Sequence, residues 1–399
     1  MKILLLTDIP PTQDLTAGIL LENMLRHIPE GSVVCYTVLH RDLNPKLAYN
    51  LKEMPIKIVR KPLENWGYGK FGSPLLSFLM ELFTSILQIP RIVDDIVNFG
   101  ILHGVDRVWV TLQGQTMIRL ALPVAQKLKI PLYSQVYDSP DWWMRANKVN
   151  PIISNNVIDL FGRTLKESKN CALASWAMVE YYNSIYMSRG IPMVSCFNIS
   201  LAKPPAKKYS SKKEFIICMA GQLYAGQEWN SLLQALDHLN WTINGKPVKV
   251  RYMGEWLSLS GKEPRQIEYL GWRSVEEIIE IASTSDICYC PYWFEPAFGL
   301  EARLSFPSKL PLYFASGRPV LFHGPEYSSP AKYIQLYEAA YVFNSLDPAI
   351  IGEKLIEIAS DIVSYQRIAN NANRAFINDF TNIQMDQRVR DFLDIPDKL

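Results

Sequence analysis

The sequence predicts an α/β chain built on two doubly wound parallel sheets, and three observations lead there. Its 399 residues exceed what one compact core usually holds. Short apolar runs alternate with longer helical segments, as in a parallel sheet covered on both faces. The alternation breaks once, at a lysine- and proline-rich stretch, and then restarts. A first domain is expected over 1–200, a linker over 201–214, a second domain over 215–375 and a helical segment over 376–399 that crosses back to the first domain.

The first half opens on KILLLT, an apolar run suited to a buried strand, after which Gly18 opens the helical ILLENMLRHI. Further strand-like runs are SVVCYTV, IKIVR, DRVWVT and PLYSQV. The break is SLAKPPAKKYSSKKEF. Beyond it FIICMAG, VKVRYMG, IEYLG, DICYCP, RPVLFH and AYVF read as strands, with WNSLLQALDHL and SVEEIIEIAST as helices between them. Two such domains facing a cleft would turn the carboxyl ends of both sheets toward a shared ligand.

Forty-one Lys and Arg against 39 Asp and Glu leave a formal charge of +2, without the basic excess of a nucleic-acid binder. The six cysteines lie scattered in apolar runs without metal-ligand spacing, as expected of reduced thiols in a cytoplasmic protein. No uncharged run reaches the roughly 18 residues of a membrane span. GYGKFG, at 67–72, fits the dinucleotide pattern G-x-G-x-x-G. PLENW separates it from the preceding strand and no acidic residue closes a strand about 20 residues on, so a loop capped by Ser73 and Pro74 is the preferred reading.

The helix LLSFLMELFTSILQI keeps its polar residues Ser77, Glu81, Thr84, Ser85 and Gln88 on one narrow stripe. It is either a helix buried between sheet and neighbours or a membrane-surface contact through 57–89. Lys57, Arg60, Lys61 and Lys70 with Trp66, Tyr68 and Phe71 would supply the basic and aromatic part of such a contact.

FPSKLPLYFASGRPVLFHGP, from Phe306 to Pro325, follows the strand DICYCP. Pro307 and Ser308 precede a helix whose free N–H groups favour an anion, Lys309 adds a full charge, and Gly317 and Pro319 end the helix before the strand PVLF. A plain helix-to-strand connection with a surface lysine is the alternative.

At these residues the chain resembles the retaining GT-B glycosyltransferases of the family 4 type (glycosyl transferases group 1), whose second domain often carries P-S-K-x-x-E-Y before a G-x-P-V strand. Pro307, Ser308, Lys309, Tyr313, Gly317, Pro319 and Val320 match. GILLENML, SWAMVEYYNSIY, AGQLYAGQEWNSLLQAL and LGWRSVEEIIEIASTSDICYCP extend the likeness along most of the chain. The resemblance implies two Rossmann-like domains, a nucleoside-diphosphate sugar held by the second, and a glycan or lipid-linked acceptor held by the first. It implies donor contacts from Gly18, Gly221, Gly226, Arg273, Glu295, Phe298, Gly299, Ser308, Lys309 and Tyr313.

Two positions depart from the pattern. Leu312 stands where the family has a glutamate, and a leucine accepts no hydrogen bond from ribose hydroxyls. Tyr137 and Asp138 stand where the family places a His-Asp pair, and none of His27, His40, His103, His238 or His323 falls there.

Glycosyl transfer with retention needs leaving-group stabilisation more than a strong base, which makes Lys309 and Asp138 the catalytic candidates. No D-x-D segment follows a strand, so no metal or other cofactor is expected, and Lys, Arg and helix ends would neutralise the diphosphate. Asp138, Asp141 and Trp142 are expected to hold the acceptor, with Trp143 beside them. Aspartates capping a helix and tryptophans packing between domains explain the same residues equally well. The competing functional readings are a GT-B-like binding or scaffolding protein that has lost catalysis, and a nucleotide-sugar epimerase. The latter is disfavoured because no carboxylate and histidine set emerges for it.

Overall fold

The computed structural model describes residues 1–12, 15–48, 54–64, 74–210, 213–254 and 266–396. The chain divides into two compact units, Met1–Met193 with Met385–Leu399, and Val194–Gln384.

The first unit holds strands β1 (Ile3–Thr7), β2 (Val33–Leu39), β3 (Ile56–Arg60), β4 (Arg107–Thr111), β5 (Leu132–Val136), β6 (Asn170–Leu173) and β7 (Gly190–Pro192). They pair in parallel in the order β3-β2-β1-β4-β5-β6-β7. Every residue of β1, β2 and β5 is buried, which explains why these runs read as continuously apolar rather than alternating. The order reverses between β1 and β4, so the carboxyl ends of those strands flank the place where open parallel sheets receive ligands.

The second unit holds β8 (Phe215–Ala220), β9 (Thr242–Ile243), β10 (Lys246–Met253), β11 (Ile267–Tyr269), β12 (Ile287–Pro291), β13 (Val320–His323) and β14 (Ala340–Phe343). The order is β11-β10-β8-β12-β13-β14, all parallel, with β9 forming an antiparallel hairpin on β10. Here the reversal falls between β8 and β12.

The lysine- and proline-rich stretch does not stand clear of the second unit. Lys203 N donates to Ala315 O and Ala206 N to Gly317 O, both at 2.8 Å, and the Ser210 hydroxyl donates to the buried Asp286 carboxylate at 2.9 Å. Gly317 makes this possible: its φ is +71°, and a Cβ there would sit 2.4 Å from Pro204 O.

The helix Ile362–Asp379 belongs to the second unit, and the chain joins the first unit only at Met385, within the helix Asn382–Leu393. Phe392 then meets Trp109 and Tyr133 edge-on at 5.9 and 6.0 Å, and Arg107 Nη1 donates to Leu393 O at 2.6 Å. Tyr133 donates to Asp394 Oδ2 at 2.6 Å. Apolar burial and edge-to-face contact both favour this seat. Phe392→Ala should therefore cost the first unit about 3–4 kcal/mol, measured as a lower urea midpoint for a probe in that unit.

Candidate functional site

In the second unit the loops after β8 and β12 meet around Lys309, the first residue of the short helix Lys309–Ala315. Lys309 is only 7% exposed. Its Nζ donates to Gln222 O at 3.2 Å and lies 4.6 Å from the Tyr224 ring centroid. A Cβ on Gly221, whose φ is +82°, would come within 3.8 Å of Lys309 Cε. Among the described residues no carboxylate pairs with this ammonium. Burial lowers its pKa to about 8, with the Cys290 thiol acting slightly the other way. A cation kept from water without a counter-charge is a site prepared for an anion.

The neighbouring side chains hold the frame. Tyr313, expected as a donor contact, is fully buried and its hydroxyl accepts from Ala220 N at 2.7 Å. It fixes the end of β8 from inside the core. Glu228, buried in the first turn of the helix Gly226–His238, accepts from Phe294 N at 2.7 Å and so sets the path of the loop after β12. Desolvation raises its pKa. Trp293 donates to Tyr224 O at 3.1 Å and stacks on Phe298 at 5.4 Å.

The other expected donor residues have surroundings of their own. Ser308 is exposed and caps the Lys309 helix without a side-chain hydrogen bond. Glu295 is exposed on the loop, and Gly299 opens the helix Gly299–Leu304. Gly226 leaves open space where a Cβ would be. Arg273 lies past β11, two strands from β8, and its Nη1 donates to the adjacent Trp272 O, beside the Ser274–Glu277 capping box. Gly18 is packed by its own chain: a Cβ would be 2.3 Å from Thr12 Oγ1 and 2.7 Å from Pro10 O, so the close approach it permits is to that loop.

In the first unit a cluster that the sequence reading missed sits at the strand reversal. Lys61 Nζ is 2.8 Å from Glu64 Oε2 and 3.8 Å from Asp8 Oδ2, and it donates to Gln113 O at 3.4 Å. Glu64 Oε1 accepts from Thr116 N at 2.6 Å, capping the helix Gly114–Leu128, whose own N-cap Gln113 offers no side-chain bond. Burial, followed by the field of Glu64, holds the Asp8 carboxyl above its ordinary value, while its two carboxylate neighbours hold Lys61 above its own. Lys61, expected as part of a basic surface, is thus turned inward and 4% exposed, and Lys57 is paired with Asp95 at 2.7 Å. Trp66, Tyr68, Lys70, Phe71 and the 67–72 glycine motif lie outside the described residues.

Tyr137 and Asp138 follow β5. The Tyr137 hydroxyl is buried without a partner among the described residues and is pushed well above its usual pKa by burial and then by Asp8. Asp138 is half-buried. Asp141 accepts from the Ser139 hydroxyl at 3.0 Å while its own N–H donates back, so its carboxylate belongs to the start of the helix Pro140–Ala146. Of the two tryptophans, Trp143 rather than Trp142 reaches the cluster: a Cβ on Gly114 would be 3.0 Å from its ring, and Lys61 Nζ is 6.0 Å from its centroid. Among the described residues no group of three or more His, Cys, Asp or Glu gathers to hold a metal.

No protein-family model matches the chain, and no curated protein matches its sequence. Solved structures do. Anabaena HepE, in complex with UDP and glucose, superposes with a TM-score of 0.64 at 16% identity, covering 99% of this chain and 100% of that one. Sucrose-phosphate synthase from Thermosynechococcus elongatus gives 0.64 at 12% identity, covering 99% and 100%. The fold is GT-B. The lipopolysaccharide outer core galactosyltransferase WaaB, in its apo form, gives 0.61 at 13% identity, covering 99% of each chain.

Two outcomes follow from the charges. Burial lowers the Lys309 pKa to about 8 in the fold, below its ordinary value in the unfolded chain, so its contribution to stability rises with pH between those two values and is flat below. Lys309→Met should raise stability at pH 7 by about 2–3 kcal/mol, read as a higher urea midpoint. Lys61→Met, by contrast, strands Asp8 and Glu64 together and should destabilise by about 3–5 kcal/mol in the same measurement.

Proposed function

We propose that the protein is a glycosyltransferase that moves a sugar from a UDP-sugar to a hydroxyl of a glycan or lipid-linked acceptor. The observation that carries this reading is Lys309, a buried ammonium with no carboxylate partner among the described residues, at the strand reversal of a GT-B unit. A diphosphate is the anion that suits it, and HepE, solved with UDP and with UDP-glucose, points to the uridine nucleotide.

In the proposed reaction the bond between the anomeric carbon and the diphosphate breaks, and the Lys309 ammonium stabilises the charge that develops on the leaving oxygen. The acceptor hydroxyl oxygen forms the new bond and passes its proton to the departing diphosphate. This front-face course retains configuration, in keeping with the P-S-K and G-x-P-V resemblance. In this reading Gly221 admits the phosphates close to the backbone, and the Trp293–Phe298 loop, held by Glu228, is assigned to the sugar. We assign the acceptor to the first unit, where Asp8, Tyr137, Asp138 and Trp143 offer a carboxyl, a hydroxyl, a second carboxyl and an aromatic face. Transfer needs no metal in this scheme, and activity should survive EDTA.

A second reading, a nucleotide-binding protein without transferase activity, is favoured by one observation. Leu312 is buried three residues past Lys309 on the same helix and leaves the ribose without the acceptor that a glutamate provides. Slow hydrolysis of UDP-glucose by the purified protein supports the enzyme, whereas tight UDP binding with no hydrolysis or transfer favours the second reading.

Calorimetric titration with UDP tests the site itself. Lys309→Ala should weaken binding roughly 30- to 100-fold, as expected when a desolvated charge pair is lost. Because the diphosphate selects the charged lysine, affinity should hold steady up to about pH 8 and then fall by up to about tenfold per pH unit. A flat profile through pH 9.5 would remove Lys309 from the site.

A further inference from the structure

We propose that the first unit docks on an anionic lipid bilayer through the outer face of residues 75–87. Helix Pro74–Phe83, a π-helical turn over Thr84–Gln88 and helix Ile89–Leu102 run on continuously. Leu75–Leu102 is long and apolar enough to cross a membrane, with Glu81 the interruption that kept the sequence from showing an uncharged span. Yet only 28% of its most apolar stretch is buried. Leu75, Leu79, Phe83 and Ile86 are 67, 49, 49 and 59% exposed, and Leu76, Leu82 and Leu87 stand beside them. Together they present apolar surface on the order of 600 Å², at the upper end of what soluble monomers show.

The inner face keeps the helix on the protein and rules out a span. Ser77, Glu81 and Thr84 are buried, and Glu81 and Thr84 line a cavity of about 10 Å³ with Glu64, Gln115, Thr116 and Arg119. Val93, Ile96 and Gly100 are buried, and Asp94 and Asp95 are tied to Lys127 and Lys57. Such a helix lies in the interface plane, with its apolar side toward acyl chains.

The charges choose the occupant. Arg91, four residues past Leu87 on the same helix, is exposed and has no partner among the described residues. Arg60 is exposed and, among the described residues, donates only to the carbonyls of His40, Arg41 and Leu43, while Arg41 donates only to Lys61 O. Residues 61–64 lead from Arg60 directly to the cavity under the helix. Three guanidiniums without carboxylate partners among the described residues suit anionic headgroups, whereas a symmetric pairing of this face with a second copy would set like charges together. The patch is Leu and Ile with one Phe, closer to hydrocarbon than to the Tyr, Trp and Met of protein interfaces.

The full-length protein should co-sediment with phosphatidylcholine vesicles containing about a third phosphatidylglycerol, and far less with phosphatidylcholine alone. Replacing Leu79, Phe83 and Ile86 together by Ser should lower partitioning at least about tenfold while circular dichroism and UDP affinity stay those of the parent. Arg91→Glu should lower it about tenfold at low salt and little at high salt. If the triple variant misfolds, the arginine variant and the salt series still decide. No sedimentation with anionic vesicles overturns the proposal, as does equal binding to neutral and anionic ones. A concentration-dependent dimer abolished by the same substitutions assigns the face to a second copy instead. The vesicle assay needs no nucleotide, so its failure leaves the donor reading untouched.

Discussion

The second unit is organised around an ammonium, Lys309, that no carboxylate among the described residues neutralises. A buried charge of this kind survives only if its surroundings cannot collapse onto it or swing a counter-ion toward it. That stiffness is visible in the long-range bonds that converge there. Tyr313 holds the end of β8, Glu228 holds the loop after β12, and Gly317 admits the Pro204 carbonyl behind the Lys309 helix. None of these groups needs to touch a ligand. Each keeps Lys309 where a ligand would find it, at an energetic cost that the folded unit carries whenever the site is empty.

The first unit solves the opposite problem at the equivalent place in its sheet. Lys61, Asp8 and Glu64 answer one another, and Glu64 spends its second oxygen on the helix Gly114–Leu128. With one ammonium between two carboxyls, of which Asp8 is pushed toward its neutral form, the cluster has little reason to seek an anion, and its remaining capacity is for neutral hydrogen-bonding groups such as hydroxyls. The two sheets, alike in winding, are thus chemically unlike at their strand reversals, as the proposed division between a charged donor and an uncharged acceptor requires.

The strands and the Lys309 helix were legible in the sequence because buried parallel strands and helix ends leave local marks: apolar runs, a proline before the helix, Gly317 and Pro319 after it. What escaped shares a different property. Lys61 looked like a surface lysine because its partners stand 53 residues back at Asp8 and, more deceptively, three residues on at Glu64, a spacing that reads as an ordinary solvated pair. Tyr224 and Glu228 lay in a stretch recognised as opening the second unit, but nothing in that stretch says that one ring would sit under Lys309 and one carboxylate would bind Phe294 N. Trp142 and Trp143 are adjacent, and only the direction of a helical turn decides which reaches Lys61. The point at which the chain returns, Met385, left no local mark, since helix Ile362–Asp379 has an amphipathic pattern that either unit would accept.

That return also sets the order in which the protein can be completed. Translation delivers the first 193 residues long before Met385, so the nascent first unit waits with the Trp109 and Tyr133 side of its sheet unclosed while the entire second unit is made. Inside the second unit the outgoing and returning strands of chain run side by side, Phe197 N donating to Phe380 O and Asn382 N to Phe197 O. The tail is therefore aimed home by the unit synthesised later. The part of the molecule made first is closed last, and until then the aromatic face over β4 and β5 stays bare.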